Sequence, residues 1–302
     1  MSRHRLLVTG ASGYLGAQVI AACRRQGVAV TGTGRRAGLG SAACDWVSAD
    51  LCDPTSVRAL VDAVRPTHLL HLAWYVEHGR FWEDPRNHDW IAASVLLAEQ
   101  AAQAGCQRLI GVGTCFEYDW PEDSDCDEAT TPLRPQTLYG RAKDQTRRIV
   151  QDICARHGMG FAWARIFYPY GGNEAPGRLV PSLAQALLRG APAECSSGLV
   201  QRDFIEIEDV AGALLALVLT PVQGAVNIGS GTALPVHELA GRLAAQAGRS
   251  DLLRIGALPD RIGDPPRIVA KIDRLRDEVG FRPAIDLETG LARALEHWRT
   301  SP

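Results

Sequence analysis

The chain has 302 residues, of which 46% are hydrophobic and 22% are charged, a balance typical of soluble globular proteins. Its formal net charge of −2 gives no electrostatic reason to expect nucleic acid or an acidic membrane surface as a partner. No run of about eighteen apolar residues occurs, so we expect no membrane-spanning helix. An apolar strand begins at Arg5, so we expect no signal peptide and a cytoplasmic location.

Metal and disulfide chemistry are not indicated by the cysteines, histidines or acidic residues. The eight cysteines are scattered without a CxxC pair, which favours reduced thiols over zinc ligands or a disulfide framework. The acidic segment 120–132 has irregularly spaced carboxylates, unlike a calcium-binding loop. His68 and His71 show no ligand spacing. We therefore expect no metal site.

The first half of the chain alternates strand-like and helix-like segments. Predicted strands lie at residues 5–10, 28–34, 46–50, 68–74, 108–114 and 161–167. They are apolar on both faces, and helical patterns separate most of them, which predicts a Rossmann-type α/β fold with a doubly wound parallel sheet. The pattern loosens after about residue 168. We predict a dinucleotide-binding domain at 1–168, rejoined by about 203–230, and a smaller C-terminal substrate-binding lobe covering most of 169–302.

A glycine-rich turn follows the first predicted strand. Gly10, Gly13 and Gly16 are spaced GxxGxxG between that strand and a helix. Such glycines permit a tight turn, a close approach of the backbone to a pyrophosphate, and close packing of helix on strand. The amides at the helix N-terminus then face the phosphates. This arrangement predicts a dinucleotide site.

The segment GASGYLG resembles the cofactor turn of the extended short-chain dehydrogenase/reductases, the nucleotide-sugar epimerase/dehydratase group. Similarity continues through HLAW (71–74), RDFIEIEDVAGAL and VNIGSG, so it covers nearly the whole chain. The resemblance implies the same fold and an NAD(P)-dependent enzyme. Besides the three glycines, it implies cofactor contacts by Ser12, Tyr14, Leu15, Asp50, Leu51, Leu72, Ala73, Trp74 and Tyr168.

The end of the second predicted strand lacks an acidic residue. NAD-binding proteins of this fold place Asp or Glu there to accept hydrogen bonds from the ribose. Here the position is Gly34, and Arg35 and Arg36 follow. A glycine leaves room for a 2′-phosphate, and the guanidinium groups can bind it. A solvated basic turn is the alternative. We expect NADP(H) as the preferred cofactor, with NAD(H) possible.

Tyr139 and Lys143 form a YxxxK pair, which a helix places on one face. A neighbouring ammonium stabilises a phenolate and is expected to lower the tyrosine pKa, which suits acid/base chemistry. Thr114 ends a predicted strand upstream. In the family, a Ser or Thr at this place hydrogen-bonds the reacting oxygen. We therefore predict Thr114, Tyr139 and Lys143 as the catalytic residues, the last two also contacting the cofactor.

The residues after Thr114 restrict the predicted reaction. Family 4,6-dehydratases carry an Asp-Glu pair there for the elimination of water, whereas this chain has Cys115 and Phe116. Glu117 is one place too late, so we expect it to point elsewhere and we disfavour dehydration. For Cys115 we favour a small buried thiol over the proton-abstracting cysteine of some epimerase-reductases.

The predicted substrate lobe carries arginines that match family motifs. Arg202 lies in an RDF motif and Arg261 in DRIGDPP, and the resemblance implies that both grip a nucleotide pyrophosphate. The full set of predicted substrate-binding residues is Cys115, Phe116, Arg178, Leu179, Arg202 and Arg261. Trp90 and Tyr168 stand where many members have Asn, which suggests a remodelled sugar pocket. The aromatic segment 74–90 is either a ligand-binding loop or a packed surface flap.

Together these features favour an NADPH-dependent reductase of a nucleotide-activated keto sugar of the 4-keto-6-deoxyhexose type. A nucleotide-sugar 4-epimerase that retains NAD is the first alternative. A non-catalytic NADP(H)-sensing protein is the second, although the complete Thr/Tyr/Lys set argues against it. Family members commonly dimerise through two helices, here predicted at 87–104 and 136–157. The first is apolar around most of its circumference, so we expect a homodimer.

Overall fold

The computed structural model describes residues 4–36 and 44–300. The strands are β1 Leu6–Thr9, β2 Val30–Gly34, β3 Asp45–Ser48, β4 His68–His71, β5 Arg108–Thr114, β6 Gly160–Ile166, β7 Tyr168–Tyr170, β8 Ala193–Glu194, β9 Gln201–Arg202, β10 Phe204–Glu206, β11 Gly224–Ile228, β12 Leu234–Pro235, β13 Leu253–Arg254 and β14 Arg267–Ile268. The helices are α1 Tyr14–Arg25, α2 Pro54–Val64, α3 Arg86–Gln103, α4 Leu138–Arg156, α5 Leu179–Leu188, α6 Ile207–Leu219, α7 Val236–Gln246 and α8 Leu287–Thr300.

Seven strands form one sheet in the order β11-β6-β5-β4-β1-β2-β3. Every neighbouring pair is parallel, which confirms the predicted doubly wound α/β fold. The chain runs outward from β1 to β3 and then returns to the other side of β1 with β4. A crevice forms where the strand order reverses, at the carboxyl ends of β1 and β4, and such crevices bind ligands in this fold class.

Helices cover both faces of the sheet because its inner strands are apolar on both sides. On one face α1 and α6 pack through residues such as Val19 and Leu214. On the other face α2, α3 and α4 contribute Leu60, Leu97 and Val150 to a second core. The sheet is thereby rigid at the strand ends that carry the site.

The C-terminal part of the chain forms a smaller core of its own. Helices α5, α7 and α8 pack together through Leu183, Leu239 and Leu291. The short strands β8, β9, β12, β13 and β14 form two small sheets beside them. The chain also returns to the large sheet, because α6 packs on α1 and β11 pairs with β6.

All eight cysteines are free thiols. Among residues 4–36 and 44–300, no group of three or more His, Cys, Asp or Glu side chains could hold a metal ion. In the same ranges, none of the helices combines the length and apolar character needed to cross a bilayer.

Candidate active site

The glycine-rich turn connects β1 to α1 at the crevice. Gly10 has φ +64°, in the left-handed region that favours glycine, and a Cβ on it would lie 2.9 Å from the amide nitrogen of Ala73. A Cβ on Gly16 would lie 2.1 Å from the Gly10 carbonyl oxygen, so α1 can start this close to β1 only with glycine there. The turn therefore brings backbone amides to the crevice, which fits a dinucleotide pyrophosphate.

A buried hydrogen-bond relay supports this turn, and its function was not predicted from the sequence. The Thr9 hydroxyl accepts from the amides of residues 72 and 73, at 3.1 and 3.2 Å, and lies 2.8 Å from His71 Nδ1. His71 Nε2 is 2.8 Å from the Ser94 hydroxyl, which itself donates to the Trp90 carbonyl. Because the Ser94 hydroxyl uses its own proton for the Trp90 carbonyl, it must accept from His71, so the ring proton lies on Nε2. Burial, with Lys143 adding to it, lowers the pKa of His71 to about 3, so the ring is a neutral connector of β1, β4 and α3.

The end of β2 carries no acidic side chain, and the residue there is closely surrounded. A Cβ on Gly34 would lie 3.2 Å from the Ser12 hydroxyl, so a carboxylate there would crowd the glycine-rich turn. Arg35 and Arg36 follow and are both exposed, and Arg36 lines a surface cleft together with Ser12. On the next loop, the Asp50 carboxylate accepts from the Cys52 amide at 3.0 Å. NADP(H) preference stays a prediction.

The three predicted catalytic residues converge at the carboxyl end of β5. Thr114 is the last residue of that strand, and its hydroxyl accepts from the Phe116 amide at 3.3 Å. Tyr139 and Lys143 occupy successive turns at the start of α4, and Thr137 caps this helix by accepting from the Gly140 amide. A Cβ on Gly140 would lie 2.4 Å from the Phe116 carbonyl oxygen. The glycine inside the YxxxK pair thus lets α4 pack directly on the segment after Thr114.

The electrostatics of Tyr139 differ from the sequence-based expectation. Burial raises the pKa of the phenol, Glu117 raises it further, and Arg178 and Thr114 act against the shift. The expectation that the neighbouring ammonium lowers this pKa is wrong for the site as the structure has it. Lys143 Nζ lies 5.8 Å from the Tyr139 ring centroid, and its own pKa is lowered to about 7 by burial. Tyr139 is therefore a protonated phenol, ready to donate.

Trp74 covers the ammonium of Lys143. Its ring centroid lies 3.8 Å from Lys143 Nζ, which also donates to the Val112 carbonyl at 2.9 Å. The indole Nε1 donates to Asn87 Oδ1 at 2.9 Å. Asn87 is fully buried and also donates to the carbonyls of Phe81 and residue 84. Asn87 was not among the predicted site residues; its signal was a single Asn one turn before Trp90, the place where the resemblance implies an Asn.

The aromatic segment before α3 packs on the catalytic helix. The amide of Tyr139 donates to the Trp82 carbonyl at 3.0 Å, and the Leu138 amide donates to Glu83 Oε1 at 3.1 Å. The rings of Phe81 and Trp82 lie 4.8 and 5.9 Å from that of Tyr139, both edge-on. The segment is thus a packed flap that encloses the catalytic phenol, and a ligand contact by it, the other sequence interpretation, stays a prediction.

Glu117 points into the core, as predicted from its late position. Its carboxylate accepts from the Thr114 amide at 2.9 Å, from Trp163 Nε1 at 2.9 Å and from Arg165 Nε at 2.8 Å. The ion pair with Arg165 is buried, with side-chain exposures of 1% and 0%. Gly113 makes room for it, because a Cβ there would lie 2.2 Å from Glu117 Oε1. Glu117 therefore stabilises the turn that carries Thr114.

Cys115 packs in the small core cluster that also contains Tyr118 and Phe167. Its thiol is 1% exposed, and burial raises its pKa well above the usual value, so the protonated thiol behaves as a small apolar group. This is the role that the sequence favoured over proton abstraction. A direct substrate contact by Cys115 stays a prediction.

The arginines of the predicted substrate lobe have different environments. Arg202 is buried: Nη2 pairs with Asp264 at 2.7 Å, and Nη1 donates to two backbone carbonyls. Arg261 is exposed on the loop that also carries Asp264. Arg178 immediately precedes α5 and lies 3.9 Å from Glu174, while Leu179 begins the helix. Their substrate contacts stay predictions, and Arg202 would exchange Asp264 for an incoming phosphate.

Comparison with known proteins agrees with this geometry. A family model described as "NAD dependent epimerase/dehydratase family" matches residues 6–229, more than half of the chain. The chain belongs to this family. It is therefore an enzyme of the short-chain dehydrogenase/reductase type, and the resemblance stated from its motifs is confirmed.

Individual members of the epimerase/dehydratase family match over nearly the whole chain. The UDP-glucose 4-epimerase of Azospirillum brasilense is 29% identical, over 98% of this chain and 92% of its own length. The dTDP-glucose 4,6-dehydratase of Streptomyces griseus is 26% identical, over 97% of this chain and 93% of its own. The UDP-glucose 4-epimerase of Thermus thermophilus, solved in complex with NAD, has a TM-score of 0.87 at 23% identity and covers 98% of this chain and 99% of that one. That structural likeness shows the common fold.

Proposed function

We propose that the protein is a nucleotide-sugar 4-epimerase that oxidises and then re-reduces one sugar carbon. The observation that carries the proposal is the placement of Thr114, Tyr139 and Lys143 at the carboxyl end of the parallel sheet, the same end that carries the glycine-rich turn. The similarity to curated 4-epimerases over nearly the whole chain supports it. A bound nicotinamide dinucleotide supplies the hydride acceptor and donor.

The chain's own residues would handle the proton and hold the reacting oxygen. The phenolate form of Tyr139 would take the proton of the sugar hydroxyl during oxidation, and the phenol would return it to the carbonyl oxygen during reduction, so the phenol must lose its proton before the first step. Thr114 donates a hydrogen bond to the same oxygen and orients it. Lys143 has donors beyond the one used by the Val112 carbonyl, and these can hold a cofactor ribose. The flap around Tyr139 excludes water from this proton transfer.

A second candidate is an NADPH-dependent nucleotide-sugar ketoreductase. The observation that favours it is the absence of an acidic residue at the end of β2, where Gly34 is followed by the exposed Arg35 and Arg36. A reductase must exchange its oxidised cofactor for NADPH at every turnover, whereas an epimerase regenerates its cofactor during the reaction. The same catalytic residues serve both reactions, with Tyr139 as the general acid. A cofactor-sensing protein without turnover would have no use for them.

Nuclear magnetic resonance of reaction mixtures should separate the candidates. Incubated with UDP- or dTDP-glucose, the protein is expected to invert the configuration at C4 without net oxidation or reduction of the cofactor. If a nucleotide 4-keto sugar oxidises NADPH stoichiometrically and the hexoses are not inverted at C4, the epimerase proposal is wrong and the ketoreductase proposal is supported. If nucleotide sugars undergo neither reaction, both proposals are wrong.

The cofactor preference gives a separate prediction. We expect NADP(H) to bind about tenfold more tightly than NAD(H), because one charge-assisted arginine contact is worth about 1.5 kcal/mol. Arg35→Ala should weaken NADPH binding far more than NADH binding, as measured by calorimetric titration. Arg299→Ala changes an exposed arginine on α8 and is the matched control. Equal dissociation constants in the unmodified protein would contradict this prediction.

The homodimer also stays a proposal, with α3 and α4 as the contact. The two helices pack side by side, and Glu99 joins them through an ion pair with Arg156. On α3, Ala92 is exposed and Val95 and Leu96 are half-buried. This small-residue apolar surface supports a two-fold contact between copies.

A further inference from the structure

A row of aromatic rings extends from the catalytic phenol to the segments that follow β5 and β6. Trp82, whose ring lies 5.9 Å from that of Tyr139, contacts Phe116 at 4.6 Å between centroids. Phe116 in turn lies 5.4 Å from Trp120 and 6.2 Å from Tyr168. We name Trp82, Phe116, Trp120 and Tyr168 the aromatic wall. All four side chains are half-buried, so each keeps some surface that a ligand can reach.

The aromatic wall is held in place by the backbone of the catalytic elements. The Trp82 carbonyl accepts from the Tyr139 amide at 3.0 Å. Trp120 Nε1 donates to the Cys115 carbonyl at 2.9 Å. The Tyr168 amide donates to the Asp203 carbonyl at 3.0 Å. These anchors hold the three segments that carry Trp82, Trp120 and Tyr168, and the bond of Trp120 also fixes its indole ring directly.

The charged side chains close to the wall are already engaged. Both Glu117 oxygens accept hydrogen bonds in the core. Arg202 is bound to Asp264 and to two carbonyls, and Thr114 and Tyr139 are needed for the reacting oxygen. Arg178, which also acts on Tyr139, faces Glu174. Apart from the indole N–H of Trp82 and the hydroxyl of Tyr168, a polar substituent beside the reacting carbon would therefore be buried against apolar ring surface.

We propose that the aromatic wall selects a nucleotide-activated 6-deoxyhexose, in which the carbon next to the reacting one bears a methyl group. This inference rests on the proposed function, which places the reacting C4 at Tyr139. The substituent on C5 is then one carbon away and lies against the wall. A methyl group gains from burial there, whereas a hydroxymethyl group loses hydrogen bonds to water and a carboxylate loses far more.

Three substrates that differ only at C6 test the proposal: UDP-6-deoxygalactose, UDP-galactose and UDP-galacturonate, with the corresponding dTDP-sugars as a second series. Within a series, kcat/KM for the methyl sugar should exceed that for the hydroxymethyl sugar roughly tenfold. It should exceed that for the carboxylate about 100-fold or more. Comparing within one series removes the contribution of the nucleotide.

Phe116 offers a matched pair of variants. Phe116→Asn should reduce the methyl-to-hydroxymethyl ratio of kcat/KM to about one, because the amide can hydrogen-bond the hydroxyl, while Phe116→Leu should keep the ratio. The ratio is taken within one variant, so a lowered folded fraction cancels. Equal or better turnover of the hydroxymethyl or carboxylate sugar by the unmodified enzyme would overturn the inference and leave the proposed function standing. Turnover of none of the sugars would overturn both.

Discussion

Replacing Tyr139 by phenylalanine is expected to lower turnover at least about 100-fold, since a positioned proton donor typically contributes that factor or more. The phenol is the protonated group that faces the crevice, because burial raises its pKa. The Thr114 hydroxyl can polarise the reacting oxygen but is a far weaker acid. The loss of turnover would be measured from initial rates on the substrate identified by nuclear magnetic resonance, and the affinity for the cofactor would be determined in parallel.

The phenylalanine variant should keep its fold. The ring contacts with Phe81 and Trp82 do not involve the hydroxyl, and the hydrogen bond to the Trp82 carbonyl comes from the backbone. Tyr75→Phe is the matched control, because it removes an exposed hydroxyl that donates to Glu77. If Tyr139→Phe retained most of the activity while binding cofactor normally, another group would be the proton donor and the assignment would be wrong.

Truncating Glu117 to alanine is expected to destabilise the protein by about 3–5 kcal/mol, because it leaves the buried Arg165 guanidinium without its counter-ion. It also removes the acceptor of the Thr114 amide and of Trp163 Nε1. Urea denaturation followed by fluorescence would give the change in the free energy of unfolding. Glu296→Ala, which breaks an exposed ion pair with Arg299, should change that free energy by about 1 kcal/mol or less.

The substitution Glu117→Gln removes the negative charge of this side chain but keeps its shape. The amide keeps the side-chain volume and one acceptor, so we expect a smaller loss of stability and rates per folded molecule near those of the unmodified enzyme. A large loss of rate in a fully folded Glu117→Gln variant would mean that this carboxylate takes part in the chemistry. An alanine variant as stable as the unmodified protein would show that the ion pair does not support the turn.

The residues that support the catalytic groups were harder to recognise than the groups themselves. Asn87 lies in no motif, and the resemblance that includes His71 in HLAW does not tell what its ring does. The role of each depends on partners elsewhere in the sequence: Thr9 and Ser94 for His71, and Trp74 for Asn87. A buried polar side chain must find hydrogen-bond partners, but the sequence does not say which. Their supporting function therefore emerged from the packing of α3 on the sheet.

Local patterns determined much of this protein. The alternation of apolar strands and helices predicted the parallel sheet, the GxxGxxG spacing predicted the turn at its crevice, and the four-residue spacing of Tyr139 and Lys143 placed both on one face of α4. These features depend on the period of a helix or strand and on the φ angles that glycine allows, which act over a few residues.

Tertiary structure alone decided the electrostatics and the shape of the site. The Tyr139 pKa is raised and not lowered, because burial has the largest effect on it, ahead of the charges of Glu117 and Arg178. The Trp74 ring packs on the Lys143 ammonium, and the Trp82 ring contacts the Phe116 ring, although 33 residues or more separate these partners along the chain. Solvent exclusion and ring contacts depend on which distant segments meet, and a linear pattern does not contain that information.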